Sequence, residues 1–387
     1  AGAAGDFAAK TPRRRHAGNG VMALNKVEEA IAAIAAGELV VVVDDTDREN
    51  EGDLIMAASK ATPENVAFMI RHTSGIICVP LTPDRAEELH LPPMVANNRD
   101  PMRTAFTVTV DYRVGLTTGI SAEERANVTQ ALANDNCTAA DFLRPGHIFP
   151  LIARDGGVLL RSGHTEAAID LARLAGLEAA GVLAEVVNDD GTVKRLPQLL
   201  EFAAEHGLKI VTIEDLIAYR ARTESFVKEV DSFQVPVGGR TATAYVYETP
   251  FDPIQHLAIV FGDVAEQPDV LVRIHRANPI SDLVSRGPDS KSWLETTLRK
   301  VGTADRGVFL MIRDPAVQRP DGSLASDGEE KHLSARQRKE RWREIGVGAQ
   351  ILRDLKVRSI RLITSQERQY VGLQGFGIEI TGREGSE

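Results

Sequence analysis

Apolar residues return at helical spacing in "MALNKVEEAIAAIAAGEL", and Gly37 marks where that helix stops. The β-branched run "VVVVD" from Val40 to Asp44 predicts a buried strand. "TPENVAFMIRHTSG" opens on a Thr cap followed by Pro, a helix start, and "GIICVPL" predicts another strand. "TAFTVTVDY" alternates, which predicts a strand with one wet face. "SAEERANVTQALA" carries a Ser cap with Glu three residues on, a capping box. A helix is expected from Thr165 to Gly176, then a strand and an Asp-Gly turn in "AGVLAEVVNDDGTV". "LPQLLEFAAEHGLKIVTIEDLIAYR" predicts helix, strand, helix, and no glycine-rich dinucleotide loop interrupts the alternation.

After Arg220 the pattern shifts. "ARTESFVKEVDSFQVPVGGRTATAYVYET" has few helix signals and predicts antiparallel strands, so a boundary is expected near 221–227. "GVGAQILRDLKVRSIRLITS" predicts helix and strand. Before it, "RPDGSLASDGEEKHLSARQRKERWRE" is polar throughout and is expected to hold a flexible loop. The expected organisation is an arm over 1–20, disordered by its Ala, Gly and Arg content, a first unit over 21–220 and a second over 225–387.

Hydrophobic residues at 43% and charged residues at 26% describe an ordinary globular chain of 387 residues. A net charge of −10 disfavours broad nucleic-acid or anionic-membrane binding. Two cysteines, Cys78 and Cys137, with no CxxC pair argue against a disulfide framework and a thiolate-rich zinc site. No apolar run is long enough to span a bilayer, and the first twenty residues lack the apolar core of a secretory signal. The expected location is cytoplasmic, with an organellar address as the alternative.

The chemistry gathers in three places. "DDTDRENEGD" packs Asp44, Asp45, Asp47, Glu49, Glu51 and Asp53 behind the buried strand. Two such charges about 4 Å apart repel by roughly 4 kcal/mol near a protein surface. Such a run is either a solvated acidic turn or a site for a hard cation, which takes oxygen ligands. Arg48 inside it offers a fixed positive charge for an anionic substrate. The second place is "RPGHIFPLIARDGGVLLRSGHTEAAIDLA". His147 follows Pro-Gly and is expected on a turn. His164 lies between Gly163 and the expected helix start at Thr165, beside Arg161, where free N–H groups favour an anion. The third is Glu185, an acid inside an apolar strand, which is either a salt-bridge partner or functional. Cys78 on its core strand reads as a packed small hydrophobe, and Cys137 has no visible role.

These segments, together with "RHTSGIICVPL", "TAFTVTVDYRVGLTTGISAEER", "RPGHIFPL", "NDDGT" and "VTIEDLIAYR", resemble 3,4-dihydroxy-2-butanone 4-phosphate synthase of riboflavin biosynthesis across about residues 21–220. The resemblance implies an α+β fold with a mixed sheet flanked by helices, forming a homodimer with active sites near the subunit interface. It implies a Mg²⁺-dependent lyase that converts ribulose 5-phosphate into formate and a four-carbon dihydroxybutanone phosphate. Glu49 and His164 would ligate metal. Arg48, Glu49, Asp53, Arg161, Ser162, Gly163, His164, Thr165 and Glu185 would contact substrate, and His147 and Glu185 would be catalytic. Histidine is not a typical magnesium ligand, so Mn²⁺ is the expected substitute. A divalent cation would neutralise the carboxylates and a developing enediolate.

"QHLAIVFGD", "VLVRIH" and "GVGAQILRDLKVRSIRLITSQERQYVGLQGFGIEI" resemble GTP cyclohydrolase II, which implies a second α/β unit. That family holds zinc with three cysteines, and this chain has none after Cys137. The matching segment offers Asn278, Ser281, Asp282 and Ser285, with His275 nearby, all poor substitutes. The leading expectation is therefore a synthase with a second unit that binds no zinc and serves assembly, a residual nucleotide pocket or contact with another pathway enzyme. The alternatives are a bifunctional protein that also opens GTP, and a binding module in which neither half catalyses.

Overall fold

The computed structural model describes residues 23–44, 48–250, 252–277, 282, 293–313, 346–364 and 378–385. The arm over 1–20, the polar stretch over 319–344, and Asp45, Asp47, Asn278, Ser281 and Ser285 lie outside the described residues.

Two seven-stranded mixed sheets follow one another along the chain. The first contains β1 (Val40–Val43), β2 (Gly52–Ala57), β3 (Cys78–Leu81), β4 (Val110–Tyr112), β5 (Phe142–Ile152), β6 (Gly181–Glu185) and β7 (Lys209–Thr212), in the order β4-β5-β3-β6-β2-β1-β7. β1 runs parallel to β7 and antiparallel to β2, and β3 runs parallel to β5. Its helices are α1 (Val27–Ala36), α2 (Pro63–His72), α3 (Pro83–Glu88), α4 (Ala122–Ala133), α5 (His164–Leu174), α6 (Leu196–His206) and α7 (Ile213–Thr223). Local signals set their ends. Gly37 closes α1 in the left-handed region at φ 82°, the Thr62 side chain caps α2, and Ser121 and Glu124 form the capping box of α4. α5 lies on β2, β6 and β3, with Ala167, Ala168 and Leu171 in the core.

The second sheet contains β8 (Lys228–Val237), β9 (Arg240–Thr249), β10 (Asp252–Phe261), β11 (Val270–Arg276), β12 (Gly307–Ile312), β13 (Ser359–Ile363) and β14 (Glu379–Glu384), in the order β14-β13-β11-β12-β10-β9-β8. Val308, Leu310 and Ile312 join one core cluster with α9 (Val347–Asp354). Phe309 turns the other way, into a cluster packed by Leu294 and Leu298 of α8 (Trp293–Thr303). Alternation along one strand thus buries both faces.

Three local expectations are corrected. His147 is not on a turn; it lies inside the eleven-residue β5. The Pro145-Gly146 pair is absorbed because Gly146 N–H donates to Thr109 Oγ1 instead of to a ladder carbonyl. "TAFTVTVDY" joins the ladder only at β4, with isolated bridges at Phe106 and Thr107. Its partner β5 carries Pro145 and Pro150, which have no N–H to donate, so the ladder is interrupted. Finally α5 begins at His164 rather than Thr165, with Gly163 as the N-cap residue.

Candidate active site

Strand register assembles the site. Phe149, Cys78, Leu183, Ile55 and Val40 form one row across β5, β3, β6, β2 and β1. Two residues further toward the same end of the sheet stand His147 on β5, Glu185 on β6, Asp53 on β2 and Val42 on β1, with Glu185 paired directly to Asp53. Side chains alternate along a strand, so these positions share a face. Neighbouring strands are about 4.8 Å apart, and two carboxylates at that spacing repel by roughly 3 kcal/mol near a protein surface. Cys78, one row back, is buried, and its thiol is pushed far above the usual range by that burial and by Glu185 and Asp53.

The acidic loop divides its work. Asp44 is buried and accepts from the backbone N–H groups of Glu49 (3.1 Å) and Glu51 (3.0 Å) and from Arg48 Nη1 (2.9 Å), which shapes the loop. Arg48 also pairs with Glu49. Arg195, at the start of α6, donates to the carbonyls of Glu49 (2.7 Å) and Asn50, whose φ of 54° lies in the left-handed region. Asp53 is different: it is buried, and its Oδ1 has no hydrogen-bond partner among the described residues. Burial, then Glu185 and the loop carboxylates, raise the Asp53 carboxyl well above its ordinary value. Burial and Glu49 raise that of Glu51 to about 7.

His164 faces this cluster from α5. Its Nε2 lies 3.1 Å from the carbonyl oxygen of Val42, which can only accept, so Nε2 carries the hydrogen. Burial disfavours its charged form. In the neutral ring Nδ1 then holds a lone pair, 3.7 Å from Asp53 Oδ1 and 3.9 Å from Glu49 Oε2. Asp44, Glu49 and His164 form one set whose ligand atoms lie within 4.8 Å of one another, and Glu51, Asp53 and His164 form another. Oxygen donors around one imidazole, with a buried oxygen left unsatisfied, fit a divalent cation.

Two further pairs flank the cluster. Asp111 on β4 accepts from both the backbone N–H (2.9 Å) and Nδ1 (2.8 Å) of His147, which leaves Nε2 of the neutral ring able to accept a proton. Gly119 covers the pair so closely that a Cβ there would stand 2.5 Å from Asp111 Oδ2 and 2.6 Å from His147 Nδ1. Ser74 Oγ donates to Glu185 Oε2 at 2.6 Å. Glu51, Ser74 and Glu185 line an open cleft of about 1080 Å³ that extends to Arg71, His72, Lys194 and His206.

Ser162, Gly163, His164 and Thr165 are buried at the start of α5, which has no side-chain cap. Arg161 is also buried, and its guanidinium is engaged: Nη1 donates to Glu166 Oε2 at 2.6 Å and Nη2 to the Met102 carbonyl at 3.1 Å. Asp111 and Ser74 escaped the sequence-based list. The only signal for Asp111 was an acid at the end of an alternating strand, and its partner lies 36 residues away.

The chain matches known proteins over nearly its whole length. Residues 28–219 match the family described as 3,4-dihydroxy-2-butanone 4-phosphate synthase, and residues 228–385 the family described as GTP cyclohydrolase II. The riboflavin biosynthesis protein RibBA of Salinispora arenicola is 48% identical over 370 residues, covering 92% of this chain and 87% of that one. Among solved structures, RibBX of A. baumannii, a two-domain 3,4-dihydroxy-2-butanone 4-phosphate synthase, aligns with a TM-score of 0.72 and 37% identity. That alignment covers 92% of this chain and 99% of the other. A 3,4-dihydroxy-2-butanone 4-phosphate synthase in complex with two magnesium ions aligns with a TM-score of 0.51 and 46% identity, over 52% of this chain and 98% of the other.

Proposed function

Since the chain belongs to the riboflavin-biosynthesis family that joins a 3,4-dihydroxy-2-butanone 4-phosphate synthase unit to a GTP cyclohydrolase II unit, we propose that its first sheet converts ribulose 5-phosphate into 3,4-dihydroxy-2-butanone 4-phosphate and formate. The observation that carries this reading is the His164 lone pair facing the unsatisfied Asp53 oxygen and Glu49. We assign the functional boundaries to 21–220 and 225–387.

Glu49 and His164 hold Mg²⁺, or Mn²⁺ in its place, with Asp44, Glu51 and Asp53 within reach. The bound cation supplies Lewis-acid stabilisation of negative charge on the sugar oxygens. The chain's own groups do the rest. A proton must leave a carbon beside the ketone, water is lost, the skeleton migrates, and a water adds back to the carbon that then departs as formate, so that no net water is released. His147, fixed by Asp111, and Glu185, fixed by the Ser74 hydroxyl, serve as proton carriers at opposite sides of the sugar. Arg48 and Asp53 contact the sugar, and the Arg161–Thr165 segment receives the phosphate at the start of α5. Because Arg161 is engaged by Glu166, the backbone N–H groups there carry most of that contact.

A homodimer fits the edge strand β4. Leu143, paired with Asp111 of β4, and Ile120, next to the Gly119 that covers the His147–Asp111 pair, are exposed apolar side chains, as is Val114 just beyond β4. Light scattering checks this, and a fully active monomer speaks against it. Formate release from ribulose 5-phosphate, measured with and without Mg²⁺, tests the activity. No release with either metal removes the proposal.

In the second unit, His275 Nε2 is bonded to Asp282 rather than left open toward a metal, and no cysteine follows Cys137. This supports a unit without zinc-dependent GTP chemistry. Its match to the GTP cyclohydrolase II family keeps the bifunctional reading as the competitor. Stoichiometric zinc on the full chain together with formate released from GTP decides for the competitor.

A further inference from the structure

The second sheet reaches the first unit at the C-terminal end of α7. The last carbonyls of a helix have no partner within it, and here α9 supplies one. Gln350 of α9, 2% exposed, donates through Nε2 to the carbonyls of Glu224 (2.9 Å) and Ala221 (3.4 Å) and accepts at Oε1 from Phe226 N–H (2.6 Å). Arg353, one turn on, donates to the carbonyls of Arg222 (2.8 Å) and Glu224 (3.4 Å).

The segment fixed in this way carries the partners of Arg220. Glu224 takes Nε and Nη2 of Arg220, both at 2.8 Å, and the Arg220 guanidinium lies 5.3 Å from the Phe226 ring centre. The remaining Nη1 points inward, to Asp170 Oδ2 (2.8 Å) and the Gly156 carbonyl (2.9 Å). Asp170 lies on α5, the helix that begins with His164, and it also accepts from Val158 N–H at 2.8 Å. Glu166 on the same helix accepts from Arg154 N–H at 3.0 Å and from Arg161. Two buried acids of α5 therefore hold the turn over 154–160, which leads directly into Arg161–Thr165. The fit leaves no room for change: Gly157 has φ +61°, and a Cβ there would collide with both Asp170 oxygens and with Arg220 Nη1.

Resting on the synthase reading above, we propose that Gln350 of the second unit is a positioning residue for the synthase site, acting through Glu224 and Phe226 on Arg220, and through Arg220 on the turn that presents the substrate-phosphate segment. The second unit is a buttress for the first, a role that needs neither zinc nor GTP. The effect falls on binding of the phosphorylated sugar, because the chain of contacts ends at Arg161–Thr165 and not at the His147 or Glu185 proton carriers.

The test uses the full chain. Wild type is first assayed for formate release from ribulose 5-phosphate; failure there removes the synthase reading itself. Gln350→Ala is then expected to raise KM about fivefold while kcat stays within about twofold, the signature of lost positioning for binding. Arg353→Ala, which removes contacts from a less buried side chain, is expected to raise KM about twofold and serves if Gln350→Ala does not fold. In a cycle with Arg220→Lys, Gln350→Ala is expected to add almost nothing, because both act in one line. A Gln350→Ala or Arg353→Ala protein that melts at lower temperature yet keeps the wild-type KM overturns the proposal, as does full additivity with Arg220→Lys.

Discussion

In the first sheet, Asp53 keeps a buried oxygen without a donor among the described residues, and the His164 lone pair stands 3.7 Å away. In the second, His275 near the end of β11 sets Nε2 between both oxygens of Asp282, at 2.9 and 3.0 Å. Both arrangements join imidazole and carboxylate, and they differ in what they leave undone. An unsatisfied buried polar atom costs about 1–3 kcal/mol. That cost is tolerated where a bound cation removes it, so the first arrangement is prepared for a ligand. The second has already paired its imidazole with its own carboxylate. Similar residue types therefore fit a cation in one sheet and form an internal pair in the other.

The sharpest way to break this comparison is to remove one member of the first cluster. Glu49→Gln and His164→Ala are each expected to lower formate production by about a thousandfold or more, since each removes a ligand of the proposed metal site. The fold should persist, as judged by circular dichroism and a cooperative melt. A variant that keeps wild-type turnover takes that residue out of the metal shell.

A second test separates binding from support at Arg161. Its Glu166 partner is 1% exposed, so Arg161→Ala leaves a buried carboxylate uncompensated. The expected loss of stability is about 3–5 kcal/mol by chemical denaturation. A loss under about 1 kcal/mol, with a large rise in KM, would instead make Arg161 a direct phosphate ligand with little structural role.

The smallest expected effect is the response of Asp170 to pH. Burial raises its carboxyl to about 6, against the pull of Arg220. Between about pH 4 and 6 the folded chain then keeps a proton that the unfolded chain has lost, so stability from this group falls as pH rises. Asp170→Asn lacks that slope. The stability difference between wild type and Asp170→Asn should therefore move by about 2 kcal/mol in favour of the Asn variant from pH 4 to pH 7. Movement in the opposite direction would show that Arg220 holds the carboxyl below its ordinary value.

Much of this protein was decided locally and could be read from the chain. Helix ends at Gly37, Thr62 and Ser121 depend on residues within a turn of one another, so the sequence predicts them. The acidic loop is likewise contiguous; its density left a solvated turn and a cation site both open, and the family resemblance singled out Glu49 and Asp53 within it. Proline determined what alternation could not: Pro145 and Pro150 broke the expected long strand by withholding donors from its partner. Only the tertiary structure decided how the site closes. His164 meets the Val42 carbonyl across 122 positions, Ser74 meets Glu185 across 111, and Gln350 meets Phe226 across 124. None of these contacts follows from periodicity, because strand order and register bring the partners together. The tautomer of His164, the proton acceptor of His147 and the buried pairing of Arg161 all depend on such partners. A residue's type is written in the sequence, whereas its protonation and its free lone pair are set by what the fold places beside it.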